Sequence, residues 1–170
     1  MWKLLLAAVL TTTLWGCGKD RVVLFHIPIE LNFTIDAGLN PFQVHYYIIR
    51  SVQTNLESLK QQFNSEGDMD LVIRPESAVL SAAFSDVTFE FIDEIGISVF
   101  QGEDHEQDRD AFLTDQVPPN AGKNVFISPF DTDLSDVINR ESVNFKVRLR
   151  LRASTPAFID SRIRVNFTAE

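Results

Sequence analysis

Residues 25–35 read FHIPIELNFTI, and their alternation decides the fold class. Phe25, Ile27, Ile29, Leu31, Phe33 and Ile35 hold the odd positions, while His26, Pro28, Glu30, Asn32 and Thr34 hold the even ones. A strand points successive side chains to opposite faces, so this pattern predicts a half-buried strand with its odd face in a core. Pro28 has no N–H to give to a ladder, which predicts an edge position or a bulge. An edge leaves backbone groups free, so strand addition by a partner is one binding mode open to this segment.

The same alternation returns near the end of the chain. Val143, Phe145, Val147, Leu149 and Leu151 alternate with Asn144, Lys146, Arg148, Arg150 and Arg152. Ile163, Val165 and Phe167 then alternate with Arg162, Arg164, Asn166 and Thr168. Joined by residues 154–160, the two runs predict a hairpin whose outer face gathers Lys146, Arg148, Arg150, Arg152, Arg162 and Arg164. That stripe has two readings. It is a surface for an anionic partner such as lipid head groups, an acidic polysaccharide or an acidic protein patch. Alternatively, it is a solvated sheet face whose cations meet acids on neighbouring strands, such as Glu30, Asp36 or Glu90, in cross-strand pairs worth about 0.2–1 kcal/mol each.

Between these ends, further strands are expected at 42–52, 71–74, 78–84, 89–100 and 125–128. Residues 42–52 also admit a helix opened by Pro41, although Tyr46, Tyr47, Ile48 and Ile49 favour a strand. Thr54 and Glu57 have capping-box spacing, predicting a helix from Asn55 to about Phe63 that Asn64, Ser65 and Gly67 close. Asp131 to Ile138 fits one or two helical turns capped by Asp131 or Thr132. Seven or eight short strands with turn signals between them predict a mainly β protein. The expected architecture is an antiparallel two-sheet sandwich, immunoglobulin-like or related, with one or two short helices.

The first twenty residues, MWKLLLAAVLTTTLWGCGKD, are of another kind. Lys3 supplies a charge, Leu4 to Leu14 an apolar core and Gly16 a small residue, which is the layout of a secretory signal. Three threonines interrupt the run, and spanning a bilayer takes about 20 apolar residues. The tetrad Leu14-Trp15-Gly16-Cys17 resembles the lipobox of bacterial lipoproteins, and Cys17 is the only cysteine in the chain. The resemblance implies removal of residues 1–16, lipidation of Cys17, a lipidated N-terminus and short tether over 17–21, and a single β-sandwich domain over 22–170. In that family Asp after the cysteine typically retains a lipoprotein in the inner membrane. Gly18 therefore points to the outer membrane, with the periplasmic and surface faces both open. Lys19-Asp20 partly resembles the export tag of surface lipoproteins in the Bacteroidetes group, and the whole layout of anchor plus small sandwich is similar to envelope lipoproteins of that type.

Composition bounds the chemistry. The 154 residues from Cys17 onward suffice for one domain with a real core, and no second cysteine is present to form an intramolecular disulfide. Packing must hold the domain, and fourteen Phe supply large apolar surfaces. Net charge is −9, unevenly spread: Gly18 to Asn139 holds 7 Lys/Arg against 21 Asp/Glu, and Arg140 to the end holds 7 against 3. An acidic body argues against nucleic-acid binding, which needs a cationic face.

Motifs for catalysis are sparse. No Gly-x-Ser-x-Gly occurs, and His26, His45 and His105 lack metal-site spacing, so no cofactor or metal is expected. Glu103 to Asp110 is acid-rich but lacks the central Gly and closing Glu of an EF-hand loop. Acid pairs such as Asp93-Glu94 and Asp68-x-Asp70 are indistinguishable in sequence from solvated charges. The sequons at Asn32 and Asn166 carry no meaning in a bacterial lipoprotein. The expectation is a membrane-anchored envelope lipoprotein acting as a non-enzymatic binding or structural module. Its partners would be the membrane, through the N-terminal lipid, and an envelope protein or anionic glycan. The alternative is an envelope hydrolase using acids in a cleft.

Overall fold

A computed structural model describes residues 21–63, 71–84, 86–102 and 108–170. Eight strands, β1 (Phe25–Ile35), β2 (Val44–Gln53), β3 (Ile73–Ala82), β4 (Ile92–Phe100), β5 (Arg109–Thr114), β6 (Asn124–Pro129), β7 (Ser142–Leu151) and β8 (Ile159–Ala169), form one antiparallel sheet. Two short helices, α1 (Leu56–Phe63) and α2 (Ser135–Ile138), lie in its connections.

The strand order is β1-β8-β3-β6-β5-β4-β7-β2, and the sheet curls into a nearly closed, barrel-like arrangement. The expectation of an antiparallel, mainly β protein with short helices therefore holds. β1 and β2 are the two ends of the sheet. They share no ladder, but the rings of Phe33 and Tyr47 meet 4.8 Å apart and span the seam between them.

β1 follows its sequence pattern. Its odd side chains are buried apart from the half-buried Phe33, its even ones are exposed, and Pro28 stands on an edge strand as its missing N–H requires. The strand is paired along its whole length with β8, from Phe25 opposite Ala169 to Ile35 opposite Ile159. Residues 44–53 are a strand, as the aromatic and β-branched run favoured. A register shift between Ile49 and Val52 interrupts it, and there Ser51 takes the left-handed conformation with φ +54°.

The expected terminal hairpin is corrected. β7 lies between β4 and β2, whereas β8 lies between β1 and β3, on the opposite wall. Both strands carry one mostly apolar face, broken in β8 by the buried Ser161, and pairing edge to edge would leave those faces side by side. Placed across the barrel they meet, with Phe145 and Phe167 rings 6.4 Å apart and Phe112 5.7 Å from Phe167. The connection runs over one end of the barrel, where buried Thr155 holds it. Its hydroxyl donates to the Asp36 carbonyl at 2.5 Å and accepts from the Leu39 amide at 2.9 Å.

Other boundaries also moved. The strands expected at 71–74 and 78–84 merge into the single β3, Ile73–Ala82, because an irregularity between Pro75 and Ser77 absorbs the proline. β5 arises where no strand was expected, anchored by buried Ala111 and Phe112. Thr54 does not form the capping box with the Glu57 amide. It donates to the Arg140 carbonyl at 2.7 Å and accepts from the Leu56 amide at 3.3 Å, tying α1 to the start of β7. The expected closing residues of α1, Asn64, Ser65 and Gly67, lie outside the described residues.

Strand directions divide the molecule into two poles. At one, the chain enters at Arg21, β1 begins and β8 ends. At the other, the connections after β1, β3, β5 and β7 cluster. Phe42, Phe84 and Phe158 sit in three of them, 94, 88 and 71% exposed.

Candidate functional site

Cys17 lies outside the described residues. The six cations of the expected stripe do not form one surface: Lys146, Arg148 and Arg150 line β7, Arg152 follows directly on its end, and Arg162 and Arg164 stand on β8 across the barrel.

Each of the six faces an acid. Lys146 contacts Asp108, Arg148 reaches Glu94 at 2.7 Å, and Arg150 meets both Asp93 at 3.1 Å and Glu94 at 3.6 Å. Arg152 lies 3.5 Å from Asp93 and also donates to the Val117 carbonyl. On β8, Glu30 of the neighbouring strand is shared by Arg162 at 3.1 Å and Arg164 at 3.8 Å. Of the acids named in the sequence as partners, Glu30 fills the role. Asp36 and Glu90 do not, while Asp93, Glu94 and Asp108 do.

The β7–β4 face is built tightly. Gly96 stands opposite Arg148 in the ladder, and the Arg148 guanidinium lies over it. Ser98, beside it, is buried and donates to Asp110 at 2.8 Å. From the acid-rich run, then, Asp108 and Asp110 are spent on β7 and β4, and residues 103–107, including His105, are outside the described residues.

The N-terminal pole holds a second charged cluster. Asp131 accepts from Arg21 at 2.9 Å and Arg74 at 3.1 Å, and Arg74 lies 3.6 Å from Glu170. The hydrogen bond and charge of Arg21 hold the Asp131 carboxyl below its ordinary range. His26 meets Glu76 at 2.9 Å, and His45 lies 2.9 Å from the Asn40 carbonyl. Among the described residues, no group of three or more His, Asp, Glu or Cys is placed to hold a metal ion. Nor is any described helix long and apolar enough to cross a membrane.

A third site was not singled out in the sequence. Near the far pole, on the outer face of the sheet, a groove of about 420 Å³ runs over β8 at Asp160, Ser161 and Arg162. One wall is Asn32 to Thr34 of β1, and the other is Ala83 with Phe84, beyond the end of β3. The Thr34 hydroxyl donates to Asp160 at 2.8 Å. Asn32 donates to Glu30 at 3.3 Å and stands 3.5 Å from Nε of Arg162. These residues lie far apart in the chain, and the β1–β8 and β3–β8 pairings together assemble them. The lone signal was Phe84, a large apolar residue followed directly by Ser85-Asp86.

No protein-family model matches this chain, and no curated protein or solved structure does either. Function must be argued from the residues themselves.

Proposed function

We propose that this protein is a lipid-anchored envelope lipoprotein whose β domain is a non-enzymatic binding module, in the outer membrane of a bacterial cell. The observation that carries this reading is the distance in sequence between Cys17 and the fold. Arg21, bound to Asp131 at the N-terminal pole, follows the lipidation candidate by four residues. A four-residue tether spans at most about 14 Å, so that pole rests near the lipid surface. The far pole, with three exposed phenylalanines and the groove, then faces away.

The charge pairs refine the choice of surface. A cation already facing a carboxylate offers little net field to a second anion, which favours a structural role for Lys146, Arg148, Arg150, Arg152, Arg162 and Arg164 over capture of an anionic glycan. The hydrolase alternative gains no support from Asp131, since a general acid needs a carboxyl held above its ordinary range and arginine does the opposite. In fold terms the finer description is a flattened, sandwich-like barrel, with β1-β8-β3-β6 facing β5-β4-β7-β2.

The test is metabolic labelling with an alkyne fatty acid, combined with protease treatment of intact cells. Wild-type protein should carry the label and sediment with membranes, while Cys17→Ala should lose both. A wild type that stays unlabelled and soluble would end the reading. Cleavage on intact cells assigns the outer surface, and protection until lysis assigns the periplasm.

A further inference from the structure

We infer that the groove over β8 binds an uncharged carbohydrate chain. The inference deepens the binding-module reading and rests on it, although it does not need the lipid anchor.

Three properties of the groove select this ligand. The first is its balance of charge. Arg162 and Arg164 share Glu30, and Asp160 adds a further carboxylate within the groove, so no net positive field draws an anion. The second is its stock of planar hydrogen-bonding groups. The Asn32 amide, Asp160 carboxylate and Arg162 guanidinium are each fixed by a neighbour yet keep unused capacity. A carboxylate offers about four lone-pair positions and a guanidinium five N–H donors. Hydroxyl groups, which both donate and accept, can use the two kinds together.

The third property is the exposed ring of Phe84. A phenylalanine 88% exposed on the wall of a polar groove is an apolar plate next to hydrogen-bonding edges. A pyranose has the complementary form: one face of C–H groups, whose positive edges suit the negative face of an aromatic ring, and a rim of hydroxyls. Phe42 and Phe158, exposed in loops of the same pole, offer further rings to a chain longer than the groove.

A peptide strand fits less well, because recognition of a strand uses free backbone edges. In the groove floor that backbone is spent. Asp160 and Ser161 are laddered to Thr34 and Phe33 on one side, Ser161 to Ala82 on the other, and the Asp160 carbonyl accepts the Ala83 amide at 2.7 Å. On the floor, only side chains remain to read a ligand.

The experiment uses the full chain purified in detergent and titrated by calorimetry with cellohexaose, mannohexaose and chitohexaose. Oligogalacturonate serves as the anionic comparison. At least one neutral hexasaccharide should bind, with a Kd of about 0.1–1 mM for so shallow a site. Phe84→Ala and Asp160→Asn should each weaken it at least tenfold. Phe126→Ala, which removes an exposed ring outside the groove, should change it less than twofold, and circular dichroism should report the same fold throughout. Absence of binding by all three neutral probes overturns the inference, as does binding that survives Phe84→Ala or a preference for oligogalacturonate. Cross-linking in cells separates the two levels: a partner protein trapped while all three sugars fail removes the carbohydrate groove and leaves the binding module standing.

Discussion

The guanidinium of Arg148 lies over Gly96. A methyl group built on Gly96 would stand 3.5 Å from both Nε and Nη2 of that arginine, at ordinary contact distance. Arg148 pairs at this height with Glu94, whose side chain is 16% exposed.

Gly96→Ala should therefore be accommodated. Restricting the unfolded chain gives a change between neutral and about +1 kcal/mol of stability in urea unfolding. Gly96→Leu should lift Arg148 away from Glu94 and cost about 1–3 kcal/mol, because a poorly solvated carboxylate loses the nearer of its two arginine partners. Equal stabilities for the two variants would show that Arg148 is not held at this height.

Asp133 accepts the Ser135 amide at 2.9 Å at the start of α2. Burial raises its pKa, but the amide and hydroxyl of Ser135, the Ile73 backbone and the charge of Arg74 together outweigh that, and the carboxyl ends below its ordinary value of 3.8. A depressed carboxyl adds stability above its unfolded value and loses it as pH falls through the folded one. Asp133→Ala should cost about 1 kcal/mol near neutral pH, with the difference from wild type shrinking below pH 3.8. A difference independent of pH would mean that the charge plays no part.

Tyr47 and Phe33 hold the seam between the two ends of the sheet. Tyr47→Ala should destabilise the protein by about 1–3 kcal/mol and speed amide exchange in β1 and β2 before the other strands. Burial, then the charge of Asp36, raises the Tyr47 phenol above its ordinary value of 10.0. The unfolded chain ionises first, so stability falls as pH rises through that value. Tyr47→Phe should flatten this alkaline decline, and an unchanged slope would place the titrating group elsewhere.

Thr155 joins the loop before β8 to the loop after β1 through a hydroxyl that both donates and accepts. Thr155→Val keeps the shape but strands the Asp36 carbonyl and the Leu39 amide, at a cost of about 1–3 kcal/mol by thermal unfolding. Thr155→Ser should recover most of it.

Legibility in the sequence followed the range of the interactions. β1, β7 and β8 were readable because alternation is local, and every inward residue expected in β7 and β8 is buried. Pro28 marked an edge for the same reason. The pairing of β7 and β8 was misread because adjacency in sequence and identical alternation suit a hairpin, whereas the choice between edge pairing and facing across a core depends on all the other strands. β5 escaped because six residues beside an acid-rich run carry too few apolar positions to show a period. The charged partners of β7 were visible as acids but not as partners. The groove was invisible for a stronger reason, since Asn32, Phe84 and Asp160 become neighbours only after three strands align.

The full-length ladder between β1 and β8 couples the first strand of the domain to its last. During synthesis, β1 emerges with an apolar face and both edges unsatisfied, and among the described residues its ladder partner is β8, the last of the eight strands to be made. The sheet therefore cannot close until β8 has been made. That makes the nascent domain dependent on protection from aggregation until β8 is available to pair.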